Sequence, residues 1–402
     1  VTRLGRSLAP PAEIEGQPMT GDILVINTGS SSLKYAVFAA GADGPVRGDA
    51  GQVDGIGTPH GQAADHAAAL AATVARLRAG RPDWEPAAVG HRVVHGGTRF
   101  TGPVVLDAAA RAELEALAPL APLHLPANLK GIDAATRAFP DAVQVACFDT
   151  SFHCGHPWVA DTYALPREYH AAGVRRYGYH GLSYESIVHS LGRLAPELAA
   201  GRVIVAHLGN GASLCAIRGG RSVECTMGFS ALDGVPMGTR CGQIDPGVLL
   251  YLFRERRMTV EQVGELLYKR SGLLGLSGVG SDMRDLLASD KPEAREAVEY
   301  FVYRVAMAVG ALAAALGGAD GVVFTGGIGE HAVEVRRQVL AGLRWLGVEP
   351  DEAANAAGGP RVSAAASRVA AWVVPTDEEG TIARHVMSVL QRGAAGGHFA
   401  AG

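Results

Sequence analysis

Three short apolar runs each end in a polar turn rich in glycine, and these turns hold the residue types that suggest chemistry. Ile23–Ile26 leads into "NTGSSS", Val203–Ala206 into "HLGNGAS", and Val322–Phe324 into "TGGIGEH". Small residues let backbone N–H groups converge on an anion, and hydroxyls or a cation strengthen the grip. In the first turn Asn27 stands at the strand end, Ser30 and Ser32 bring hydroxyls, and Lys34 brings charge. The chemistry such a turn would serve is phosphate binding; the plain alternative is a hairpin. A Walker loop is not involved, because G-x-x-x-x-G-K-[ST] occurs nowhere in the chain.

Other stretches carry the charges that phosphate chemistry needs. "GHRVVHGG" places Arg92 before Gly96 and Gly97, and an arginine at a strand end grips a carboxylate or phosphate with two parallel hydrogen bonds. "CFDTSFH" sets Asp149 straight after an apolar run, and "RRYGYHGLSY" sets His180 between glycines. "MGTRCGQIDPG" brackets Arg240 between Gly238 and Gly242. Each has a dull counterpart: a solvated arginine, an Asx turn, a packed histidine. "VVPTDEEGTIAR" brings Asp377, Glu378 and Glu379 after Val373 and Val374. Carboxylates at a strand end are usual magnesium ligands, and they are equally usual at a helix N-terminus, where the dipole favours them. Taken together, phosphate turns, loop arginines, a histidine and acidic residues form the inventory of phosphoryl transfer.

The elements that must position these residues read as alternating strands and helices, which is an α/β chain. Helical spacing covers Asp65–Arg78, Asp107–Leu117 and Ala294–Leu316. The 402 residues suggest two domains, and 48% hydrophobic against 19% charged residues supplies packed cores. Net charge is −4, from 36 basic and 40 acidic residues, which argues against a nucleic-acid surface. Five cysteines without a C-x-x-C pair imply neither a zinc ribbon nor a disulfide framework, and a cytoplasmic location fits. The longest apolar stretch, Val305–Ala319, falls short of the ~20 residues that span a bilayer and reads as a buried helix, with no membrane partner. Residues 1–21 read as a loose arm without the apolar core of a signal peptide, and Met19 is an alternative start. Gly29 and Gly209 lie 180 positions apart in similar strand–turn–strand units. That repeat suggests two copies of one domain facing each other across a cleft, divided near Thr150 into 22–150 and 151–380. A C-terminal helix over 381–402 is expected to cross back onto the first copy.

The ordered set "NTGSSSLKY", "GHRVVHGG", "APLHLPAN", "FDTSFH", "RYGYHG", "HLGNGAS", "MGTR", "SDMRD", "FTGGIGE" and "PTDEEGTIAR" resembles the acetate kinase family over Asp22 to about Arg384. The resemblance implies two duplicated actin-like (ribonuclease H-like) domains flanking an ATP cleft, and reversible transfer of the ATP γ-phosphoryl group to acetate. Mg²⁺ would be the metal, with Mn²⁺ as an alternative, held by Asn27 and Glu378. Arg92 and Arg240 would hold the acyl substrate and the phosphoryl group in flight, with His180 stabilising the transition state and Asp149 in the position described as a proton donor or acceptor. Val94, Leu123, Tyr179 and Ala231 would surround the acyl tail of the substrate, and His124 matches a further substrate-site histidine. The nucleotide would meet Ser30, Ser32 and Lys34; His207, Leu208, Gly209, Asn210 and Gly211; Asp282, Met283 and Arg284; and Gly327, Ile328, Gly329, Glu330 and His331. A homodimer is expected from the same likeness.

Physics questions one of these roles. Acetate is already ionised near pH 7, so no base is needed to make it a nucleophile. The difficulty is bringing two anions together, and cations aimed at the transferring group meet it. Asp149 is therefore expected to position an arginine rather than to move protons. Tyr179, Tyr184, Ala231, Gln243 and His331 depart from the residues usual in the family, and a small Ala231 would enlarge the acyl pocket. A nucleotide-dependent switch of the actin or Hsp70 kind would need the phosphate turns but no arginine pair. A sugar kinase would need a general base, and a propionate kinase would differ from an acetate kinase only in the acyl pocket.

Overall fold

The computed structural model describes residues 21–395 apart from 30, 43, 59–60 and 122–123. Eleven described strands form two sheets. The first holds β1 (Asp22–Thr28), β2 (Ser32–Gly41), β3 (Gly44–Asp54), β4 (Ala88–Val93), β5 (Val104–Val105) and β6 (Val143–Phe148) in the order β3-β2-β1-β4-β6-β5. The second holds β7 (Arg202–Leu208), β8 (Ala212–Arg218), β9 (Arg221–Cys225), β10 (Gly321–Thr325) and β11 (Ala370–Val373) in the order β11-β10-β7-β8-β9. The two sheets share one plan. An antiparallel pair (β1–β2, β7–β8) is followed by a third antiparallel strand, while the opening strand pairs in parallel with β4 or β10.

Each opening strand is an uninterrupted apolar run because both of its faces are covered. Leu24, Ile26, Leu33 and Tyr35 pack against Leu70 and Val74 of the helix His66–Arg78. Ile23, Val25, Ala36 and Phe38 face Ile382 and Val386 of the C-terminal helix Glu378–Ala395, which lies on the first sheet. Behind the second sheet runs the helix Pro292–Leu316, whose Phe301, Val305, Val309 and Leu312 join Val203, Val205 and Phe324 in one core. It is the one described helix long and apolar enough to cross a bilayer, and this stripe is packed inside the protein.

Local signals account for the helix ends. Asp65 and Asp107 cap their helices by accepting hydrogen bonds from Ala68 and Ala110 N–H, as their side chains suit them to do. The C-terminal helix begins at Glu378, three residues earlier than the spacing predicts. There Asp377 accepts from Gly380 N–H at 3.0 Å and closes the first turn.

The repeat is real but not free of gaps. Asn27 pairs with Lys34 across the first turn, whereas His207 pairs with Ser213 across the second, so the first turn holds one residue more. Ala36, which pairs with Val25, therefore corresponds to Cys215, which pairs with Val205, at a spacing of 179 positions rather than the 180 of the glycines. A slip of one residue is enough to exchange the faces of a strand.

Candidate active site

Parallel strands deliver the first half of the site. β4 and β6 are neighbours with Arg92 opposite Cys147, so Arg92 and Asp149 emerge together where both strands end. Ligands of open α/β sheets gather at such carboxyl ends. Arg92 grips Asp149 with both prongs: Nε donates to Oδ1 at 3.0 Å and Nη2 to Oδ2 at 2.7 Å. Its remaining nitrogen, Nη1, lies 3.5 Å from Asn27 Oδ1 at the end of β1 and 3.7 Å from Glu378 Oε2.

The second half gathers around the turn between β7 and β8. Gly211 sits at its centre: a β-carbon there would lie 3.3 Å from His180 Nε2 and 3.7 Å from Arg240 Nη1. His180 has φ 58°, a left-handed backbone that a residue with a β-carbon seldom adopts, at the start of the helix Gly181–Leu194. Such outliers persist where the surroundings enforce them, and here the twist aims an imidazole into the cleft. Its ring stacks on His207, with centroids 4.3 Å apart and planes at 22°. Arg240 Nη1 donates to Ala231 C=O at 3.1 Å, and no described carboxylate pairs with it.

The two arginines differ electrically. Burial opposes the charge of Arg92, but Asp149 and Glu378 outweigh it and hold the guanidinium firmly protonated. Burial pushes Asp149 up from the usual carboxylate range, and Arg92 pulls against that. Arg240 is held below its ordinary value, first by burial and then by the nearby charge of Arg92. Burial keeps His180 well below the ordinary imidazole value, with His207, Arg92 and Arg240 adding to it. His124 falls to about 4, from burial and from both arginines. Uncharged imidazoles thus stand beside two guanidiniums, and an anion entering between them relieves their mutual repulsion.

Asn27, Gly29, Lys34, Arg92, Asp149, His180, His207, Arg240, Glu330 and Glu378 line this cleft of about 550 Å³. Val94, His124, Tyr179 and Ala231 line it as well, with Met227, which sequence reasoning missed. Tyr179 turns its hydroxyl to Phe229 C=O at 3.0 Å, which leaves the ring to face the pocket. Beyond Gly209 and Gly327 lies a second cavity of about 730 Å³, lined by Asn210, Asp282, Met283, Arg284, Ile328 and His331. The two cavities share Gly209, Asn210 and Gly327, so an elongated ligand can occupy both.

Several expected residues take other places. Ser30 and Leu123 lie outside the described residues. Ser32 does not line the cleft; its carbonyl accepts from Gly29 N–H at 2.8 Å, so that N–H is spent inside the turn. Leu208 and Gly329 are buried beneath their loops rather than exposed in either cavity. Glu330 accepts from Gly326 N–H at 2.9 Å and so holds the third turn shut. Of the three acidic neighbours only Glu378 meets Arg92, while Asp377 pairs with Arg47. Thr376 and Glu379 also line the cleft, within the "PTDEEG" stretch that the sequence flagged.

A divalent metal suits this donor set. Asn27 and Glu378 offer hard oxygen ligands, and Mg²⁺ commonly takes one or two such groups and completes its shell with water and phosphate oxygens.

The comparisons with known proteins follow the same outline. Residues 22–384 match the model of the acetokinase family. Acetate kinase of Methylocella silvestris is 49% identical, covering 94% of this chain and all of that protein. Acetate kinase of Nitrobacter hamburgensis is 50% identical over 92% of this chain and 96% of its own length. Among solved structures, Porphyromonas gingivalis acetate kinase superposes with a TM-score of 0.83 at 35% identity, covering 92% of this chain and 100% of that one. A propionate kinase from Francisella tularensis does so with a TM-score of 0.85 at 34% identity, covering 91% and 99%. The α/β architecture expected from the resemblance, with its two actin-like halves, is the one these relatives have. Arg92, paired with Asp149, and Arg240, without a described carboxylate partner, line one cleft in a chain whose residues 22–384 match the family model, and the chain belongs to the acetokinase family.

Proposed function

We propose that the chain transfers the γ-phosphoryl group of ATP to acetate by direct in-line displacement, giving acetyl phosphate and ADP. Membership of the acetokinase family makes it a phosphotransferase with acetate as acceptor and ATP as donor; the roles of single residues are the proposal. The observation that carries them is Arg240, a guanidinium without a described carboxylate partner, aimed with His180 at Gly211 opposite the neutralised Arg92. Arg240 takes the charge of the transferring group, and Arg92, steadied by Asp149, holds the carboxylate. His180 donates a hydrogen bond to the phosphoryl oxygens. Lys34 and the turns at Gly209–Gly211 and Gly327 hold the phosphate chain, and the cavity beside Asp282, Met283, Arg284, Ile328 and His331 takes the nucleoside. Mg²⁺, held by Asn27 and Glu378, would shield the charge of the β- and γ-phosphates. Closure of two domains, 22–150 with the C-terminal helix and 151–380, would exclude water and spare ATP from hydrolysis.

Two further parts belong to this reading. A homodimer would cover the exposed Tyr300, Tyr303 and Met307, a stripe at helical spacing on Pro292–Leu316. A cytoplasmic location suits five cysteines that all stand free. Propionate is the second substrate to consider, because Ala231 leaves room beside Val94 and one methylene changes selectivity by only ~1–3 kcal/mol. The test measures ADP release with acetate, propionate, butyrate and glycerol in turn, trapping acyl phosphate with hydroxylamine. Acetyl hydroxamate is expected; absence of hydroxamate with every acid refutes the reading.

A further inference from the structure

Behind His180 runs a chain of buried hydroxyls for which the transfer chemistry so far has no use. Ser213 Oγ lies 2.8 Å from His180 Nδ1 and is also in hydrogen-bond contact with the Tyr184 hydroxyl. Ser213 and Tyr184 are both fully buried, so every proton in the chain needs a partner within the protein. The phenol makes no other described hydrogen bond, and it therefore donates to Ser213. Ser213 has a single proton, and only by giving it to His180 Nδ1 does the chain leave no buried donor orphaned. The ring hydrogen must then sit on Nε2, the nitrogen that faces Gly211 and Arg240.

We propose that Tyr184 and Ser213 are positioning residues that lock His180 in the Nε2–H tautomer and aim that N–H at the transferring phosphoryl group. Burial and the flanking cations keep this imidazole uncharged, so its tautomer decides whether the cleft sees a donor or an acceptor. An acceptor would repel the phosphoryl oxygens. The stacked neighbour His207 is held alike, with Nδ1 turned to Ser183 Oγ at 2.8 Å. The register of the second sheet makes this possible, because β8 places Ser213 where β2 places Lys34.

The inference rests on the phosphoryl-transfer reading of the cleft, and its test separates the two. Long-range ¹H–¹⁵N spectra of the ¹⁵N-histidine-labelled full chain report each imidazole tautomer, with His180 assigned from the signal lost in His180→Ala. Wild type is expected to show His180 as Nε2–H. Tyr184→Phe and Ser213→Ala are expected to move it toward Nδ1–H and to lower kcat roughly tenfold, the worth of one well-placed hydrogen bond, with little change in KM for ATP. Tyr184→Phe is nearly isosteric, so it keeps the comparison within a folded core. An Nδ1–H signal in wild type, an unmoved signal in both variants, or an unmoved kcat each overturns the proposal. Wild type that yields no acyl hydroxamate instead refutes the transfer reading, while the spectrum still decides the tautomer.

Discussion

Arg92 and Arg240 carry the same charge in opposite company, and their substitutions should differ accordingly. Arg92 shares two hydrogen bonds with a buried carboxylate, whereas Arg240 meets a carbonyl and the Met237 sulfur. Arg240→Ala removes a cation that nothing described balances, so the midpoint of urea unfolding should hold or rise. Its kcat should fall about 10²–10³-fold, as when one electrostatic stabiliser is lost. Arg92→Ala strands Asp149 in the interior and should cost about 3 kcal/mol or more of stability besides activity. Asp149→Asn keeps an acceptor for Arg92 and should retain most of kcat, with the shape of the pH–rate profile unchanged. A collapse in rate with Arg92 still seated would show that Asp149 moves a proton after all. At this scale the sequence was legible in residue type: Arg92, Arg240, His180 and Glu378 all reach one cleft. It was silent on Met227, which stands in no motif, and on Ser213, whose use depends on a partner 33 positions away.

At the scale of elements, the end of β1 and the start of the C-terminal helix must meet for Asn27 and Glu378 to share a ligand. Gly90 on β4 makes that approach possible. A β-carbon there would lie 2.6 Å from Ile382 Cγ2 and 2.8 Å from Val386 Cγ2, both on the helix that opens with Glu378. Gly90→Val should push this helix off the sheet, lowering the unfolding midpoint and weakening Mg²⁺-dependent activity more than nucleotide binding in titrations without metal. Equal losses in both would argue that Glu378 has no part in holding the metal. The apolar runs announced β1, β7 and β10 because strands covered on both faces leave no polar alternation. The register slip between the two copies could not be read, since an ungapped match of turns says nothing of which residues pair.

For the whole molecule, buried histidines tie stability to pH. His91, His95 and His124 fall to about 4 and His153 to about 3, each chiefly through burial, against an ordinary value of about 6.5. Between these values the unfolded chain binds more protons than the folded one, so stability rises with pH across that window. Urea midpoints should be level above about pH 6.5 and fall steadily toward pH 4. A midpoint unchanged between pH 7 and 4.5 would mean that these rings are not buried uncharged. Catalysis, by contrast, should show no imidazole limb near neutrality, because His180 and His124 are uncharged throughout that range.

Sequence by itself determined the chemical vocabulary of this protein and the alternation of its elements. Apolar runs that end in glycine turns follow from covering both faces of a strand, and the ordered motifs identify the family because residue type and order are local properties. Tertiary structure decided the company each charge keeps. Only the meeting of β4 with β6 gives Arg92 its carboxylate, and the folded loop of Arg240 offers it a carbonyl but no described carboxylate. Which nitrogen of His180 faces the ligand was likewise set by a serine and a tyrosine brought together in space. Pairing, burial and tautomer depend on distances between chain segments far apart in order, and those distances exist only once the chain has folded.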